Sequence, residues 1–85
     1  MPPLTVSIVS EIVPLSLLVR GDSARVADVG GDPHQVNRLR ELGLHEGVSL
    51  KMVQPGRPCI IALGPQRLSL RSEFEDQILV EVQRG

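Results

Sequence analysis

The stretch Gly30 to Gly47, GGDPHQVNRLRELGLHEG, is the only part of the chain that carries a start, a face and a stop for a helix. Asp32 is placed as N-cap, where its carboxylate can accept from the unpaired amides of the first turn. Pro33 follows at the first helical position, where a missing N–H costs nothing. Gln35, three residues after Asp32, can complete a capping box. Val36, Leu39 and Leu42 recur at i, i+3 and i+6 and define one apolar face, with Arg38, Arg40 and Glu41 on the others. Gly43 is the natural left-handed residue at the stop, and Leu44 beyond it can close the hydrophobic contact of a Schellman-type end. The predicted helix, about 33–42, is short, so it needs a surface to pack against.

That surface is aliphatic. Eighty-five residues make one domain. A domain of this size buries only about 60–65% of its unfolded surface, so each inward residue matters. The chain has no Trp, no Tyr and one Phe, Phe74, which leaves Val, Leu and Ile to build the core. In short runs these branched residues suit strands. Five strands follow from alternation between turn signals. Residues 23–29 place Ala24 and Val26 on one face, and 48–53 place Val48, Leu50 and Met52 there. Residues 58–63 contribute Cys59, Ile61 and Leu63, residues 66–71 Leu68 and Leu70, and residues 78–82 Ile78, Val80 and Val82. Arg20-Gly21-Asp22, Gln54 to Pro58 and Gly64-Pro65 are the turns between them. Ser72 and Glu75 form a second capping box, enough for one helical turn near 73–76. The expected fold is mainly β, a small barrel of about five strands with the helix plugging one open side. Burial of Val36, Leu39 and Leu42 is worth about 1.5–3 kcal/mol for each.

Residues 1–13 alternate apolar and polar side chains from Leu4 to Ile12 and read as an extra strand or an arm. Pro2, Pro3 and Pro14 bar a helix there. This N-terminal extension precedes a barrel domain over 14–85. The apolar N-terminus has no basic segment and no small-residue cleavage pattern, which argues against a signal peptide. No apolar run is long enough to span a bilayer, so direct membrane insertion is not expected. The net charge of −1 gives no general attraction to nucleic acid. With a single Phe and no Trp or Tyr, the chain has almost nothing to offer as the stacking platforms of single-strand readers or the aromatic grooves that dock Pro-rich peptides.

Few residues could carry chemistry. His34 and His45 sit at opposite ends of the predicted helix without a carboxylate cluster at ligand spacing, so neither a metal site nor a cofactor is expected. Cys59, the single cysteine, excludes an internal disulfide and fits a reducing cytoplasm. Its alternation with Ile61 and Leu63 makes it a small buried hydrophobe. No base accompanies it, and no nucleophile elbow is present, so an enzyme is not expected. Gly30-Gly31 opens a helix, but Asp32 already occupies the site where an anion would bind.

Gly21, Val26, Val29, Asp32, Arg38-Leu39, Glu41-Leu42-Gly43-Leu44 and Gly47, followed by Pro58, Leu68-Ser69-Leu70-Arg71, Ile78 and Val80, form a pattern over Pro14 to Val82 that resembles the FeoA family. The resemblance implies an SH3-like β-barrel with one inserted helix. It also implies a non-enzymatic, cytoplasmic accessory role in bacterial ferrous iron uptake, acting on the cytoplasmic part of the transporter FeoB. The same fold occurs as the C-terminal domain of DtxR-type repressors, so a metal-responsive regulatory domain, binding a transition metal, is the alternative. The outer face of the helix and its exit turn, Arg38, Arg40, Glu41, Leu44 and His45, become the candidate partner-binding residues. Exposed barrel edges leave homo-oligomers open. Two positions depart from the family's pattern. Glu46 stands where Pro is common, which loosens the exit turn. Glu75 stands where a small Ala is common, and Phe74 beside it is expected to fill the local space.

Overall fold

A computed structural model describes residues 9–84 of the chain. The elements in order are β1 (Val9–Pro14), a single 3₁₀ turn (Leu15–Leu17), β2 (Ser23–Val29), α1 (Pro33–Glu41), β3 (Ser49–Gln54), β4 (Cys59–Leu63), β5 (Gln66–Leu70), α2 (Ser72–Glu75) and β6 (Ile78–Arg84). The five predicted strands are β2 to β6. The sixth, β1, comes from the N-terminal extension, whose first eight residues lie outside the described part.

All pairings are antiparallel, and the sheet runs β1-β6-β2-β3-β4-β5. It is not closed, so β1 and β5 are edges. Inward residues meet across the ladder: Val80 lies between Val13 and Val26, Ile61 between Met52 and Leu68, and Cys59 opposite Leu70. Such pairs of branched side chains are what hold a sheet together. With Leu15, Leu18, Leu39, Leu44 and Ile78 they make one aliphatic core.

Strict alternation fails in two strands, and the ladder shows why. Ala24 and Val26 are buried as expected, but Val29 is buried as well, three residues on. The β2–β6 register shifts between Val26 and Asp28, and such a bulge turns later side chains to the other face. A second shift between Met52 and Gln54 ends the alternation of β3. In β1, Val13 packs on the core while Ile12, opposite Glu81, is 61% exposed.

The helix begins and ends as its sequence dictates. The Asp32 carboxylate accepts from the Gln35 amide at 2.9 Å, and Pro33 opens the first turn. At the other end the Gly43 amide donates to the Arg40 carbonyl at 2.9 Å, and the Leu44 amide to the Leu39 carbonyl at 2.9 Å. Those two bonds are the Schellman motif, and Gly43 adopts the φ of +92° that it requires. The chain then returns through the Gly47 amide, which donates to the Val26 carbonyl at 2.8 Å.

The apolar face differs from expectation at one residue. Leu39 is buried and Val36 half-buried, but Leu42 is 45% exposed. Three residues fall short of a full helical turn, so Val36, Leu39 and Leu42 drift around the helix by about 120° in all. The core accepts the first two. Leu44, brought back by the Schellman turn, fills the remaining space and has no exposed surface.

Candidate functional site: the outer face of α1

The outer face of α1 can be built from these constraints. The fixed cap, the buried Leu39 and the Schellman stop hold the helix in one rotation. Arg38, Arg40, Glu41, Leu42 and His45 are therefore exposed together on the helix and its exit turn. Leu44, expected on this surface, is a core residue, because the reversal at Gly43 points it inward. Leu42 takes its place as the apolar member.

Arg40 is engaged. Its guanidinium lies 3.8 Å from the Glu46 carboxylate, with both side chains largely in water. Such a pair contributes ~0.2–1 kcal/mol. Glu46, in place of the common Pro, thus ties the exit turn to the helix through a side chain. His45 Nδ1 lies 3.1 Å from the Glu46 carbonyl, within the same turn. Among the described residues Arg38 has no ion-pair partner.

Arg38 also belongs to a groove of about 370 Å³ between α1 and α2. Asp32, His34, Gln35 and Arg38 line one side, and Glu73, Phe74 and Gln77 the other. Gly31 sits at its end with φ +114°, and a Cβ there would lie 3.0 Å from Gln77 Oε1. The Gly30 amide donates to the Gln77 carbonyl at 2.8 Å, which ties the two walls together below the groove. A second hollow, about 280 Å³, lies on the sheet and is lined by Ser23, Ala24, Arg25, Ser49 and Glu81.

His34 and His45 remain at opposite ends of α1. Among the described residues no three His, Cys, Asp or Glu side chains converge as a metal site would require. No described helix is long and apolar enough to cross a membrane.

Cys59 is fully buried, as its alternation predicts. Its neighbour is unexpected. Glu75 is only 3% exposed, and its Oε2 has no hydrogen-bond partner. The second capping box therefore does not form: Arg71 occupies the N-cap of α2, with no side-chain cap bond, and the Glu75 carboxylate turns inward. Phe74, expected to fill that space, is only half-buried on the groove wall. Burial pushes the Cys59 thiol up to about 12, helped by the charge of Glu75 and by its role as the thiol's hydrogen-bond acceptor. The signal in the sequence was the acidic residue at 75, where the resemblance noted above implies that a small Ala is common.

Comparison with known proteins follows the same outline. The FeoA domain model matches residues 13–82. No curated protein matches the chain in a sequence search. Among solved structures, the FeoA protein from Chlorobium tepidum is 33% identical, with a TM-score of 0.76, over 82% of this chain and 70% of that one. Stenotrophomonas maltophilia FeoA, solved with zinc, is 30% identical, with a TM-score of 0.72, over 85% of this chain and 95% of that one. It is described as an SH3-domain protein and put forward as a ferrous iron transport activating factor. A manganese-dependent transcriptional repressor shares the fold, with a TM-score of 0.79 at 18% identity, over 87% of this chain and 43% of that one. With its open SH3-like sheet, its single inserted helix and a family match spanning nearly all of its length, the chain belongs to the FeoA family.

Proposed function

We propose that this chain is a non-enzymatic accessory protein of ferrous iron uptake that binds the cytoplasmic part of a FeoB-type transporter through the outer face of α1. Family membership supports the role in ferrous iron transport. The observation that carries the binding surface is the pairing of exposed Leu42 with Arg38, which lacks an ion-pair partner among the described residues, on a helix fixed at both ends. Arg is enriched at interfaces, where it can pair with a carboxylate, and an exposed apolar side chain beside it adds area that docking removes from water. Arg40, Glu41 and His45 form the polar rim of this surface. The protein then works in the cytoplasm, where the transporter's soluble domain lies.

Titration of the isotopically labelled chain with the cytoplasmic domain of FeoB tests this by NMR. Resonances of Arg38 to His45 are expected to move first. Arg38→Glu and Leu42→Asp, both exposed positions, are expected to weaken binding roughly tenfold or more each while leaving the fold intact. Unmoved α1 resonances at saturating partner, or wild-type affinity in both variants, overturn the assignment. The metal-responsive alternative rests on a fold shared at 18% identity. It predicts instead a heat of binding on titration with a divalent transition metal.

A further inference from the structure

The shorter of the two α-helices carries the buried carboxylate that faces Cys59. α2 is a single turn of four residues with no side-chain cap. Its main packing is against the Leu15–Leu17 turn. One turn fixes several residues for very few backbone hydrogen bonds and does not hold by itself. It also carries Glu75 into the buried interior beside Cys59. A buried carboxylate oxygen without a partner opposes the closed arrangement, because water would satisfy it. Opening α2 relieves that cost and exposes far less apolar surface than global unfolding does, chiefly the half-buried Phe74, the thiol and the side of the Leu15–Leu17 turn on which α2 packs.

We propose that α2 is a lid over Cys59 that opens independently of the sheet, returning the Glu75 carboxylate to water, uncovering the thiol and removing one wall of the groove beside Arg38. The sheet stays intact in the open state, since β5 and β6 are held by their own ladders with β4 and β2. Cys59 stays in its pairing with Leu70. The lid's position thereby reshapes the ground next to the α1 surface. That last link rests on the proposed partner site, whereas the opening itself does not.

Cys59 is the only cysteine, so thiol labelling of the whole chain with a disulfide reagent such as DTNB reports the opening directly. In native buffer and low urea the labelling rate is expected to be nearly independent of urea. It should rise steeply only where global unfolding takes over, because a local opening exposes little surface. Glu75→Met, which removes the buried carboxylate with its partnerless Oε2 and keeps the bulk, should slow native labelling on the order of tenfold to a hundredfold without lowering the urea midpoint. Labelling that follows global unfolding from zero urea, or a Glu75→Met rate equal to wild type, overturns the lid. Should Glu75→Met fail to fold, the urea dependence of the wild-type rate decides alone. Amide exchange supplies an independent reading, with Phe74 to Gln77 expected to exchange well before Met52 and Ile61. All of these measurements are made without the transporter domain, so a failed partner surface leaves them unaffected.

Discussion

α1 and α2 are both short helices that connect strands, yet one follows every local rule and the other breaks two. α1 has a side-chain cap, a proline at its first position and a Schellman stop with glycine at positive φ. α2 has no side-chain cap and buries a carboxylate one of whose oxygens has no partner. The contrast shows how this small fold distributes its stability. In α1 the start and stop signals agree with the packing of Leu39 and Leu44, so local preference and tertiary packing reinforce one another there. α2 is held by the rest of the molecule against its own preferences, which makes it the segment able to move.

Substitutions can break or sharpen that contrast. The largest expected effect is Leu39→Ala, which removes the side chain that anchors α1 in the core. A loss of ~2–5 kcal/mol is expected in urea unfolding, enough to leave much of the chain unfolded. On the α2 side the probe is pH. The Cys59 thiol is neutral when folded and its pKa stands at about 12, above its usual value of 9.0. A folded-state pKa raised in this way gives stability that is fully present below pH 9 and is lost as pH rises toward 12. The loss approaches ~1.4 kcal/mol per pH unit within that window. Unfolding midpoints of wild type should therefore fall faster above pH 9 than those of Cys59→Ala. Parallel curves would show that the thiol remains in water. A smaller effect separates the helix starts. Asp32→Ala should cost ~0.5–2 kcal/mol, whereas Ser72→Ala at the start of α2 should leave the midpoint within error, since no cap bond forms there.

Where sequence reasoning succeeded, the determining contacts were close in the chain. The cap at Asp32, the reversal at Gly43 and the alternation of β4 and β6 all depend on residues within a few positions of one another. It failed where distant strands decide. Val29 turns inward because β2 bulges against β6, and nothing inside SARVADV marks the bulge. Leu42 and Leu44 exchange roles because the core has room for only part of a face that spacing makes equivalent. Glu75 satisfied the capping-box pattern with Ser72, but a pattern does not say which way a carboxylate turns. Of the residues expected on the outer face of α1, the charged ones and His45 are exposed and Leu44 is not, for the same reason that Leu42 was misplaced. The added strand β1 was readable as a strand, but not as the neighbour of β6.

That neighbour relation bears on how the sheet is assembled. β6 is the last strand in chain order, yet it lies inside the sheet, between β1 and β2. Without it, β1 has no partner among the described strands, and β2 to β5 are left as a four-stranded piece with an open edge at β2. The two parts of the sheet meet only through β6, so closing it rests on contacts between residues far apart in the sequence, which are slow to form.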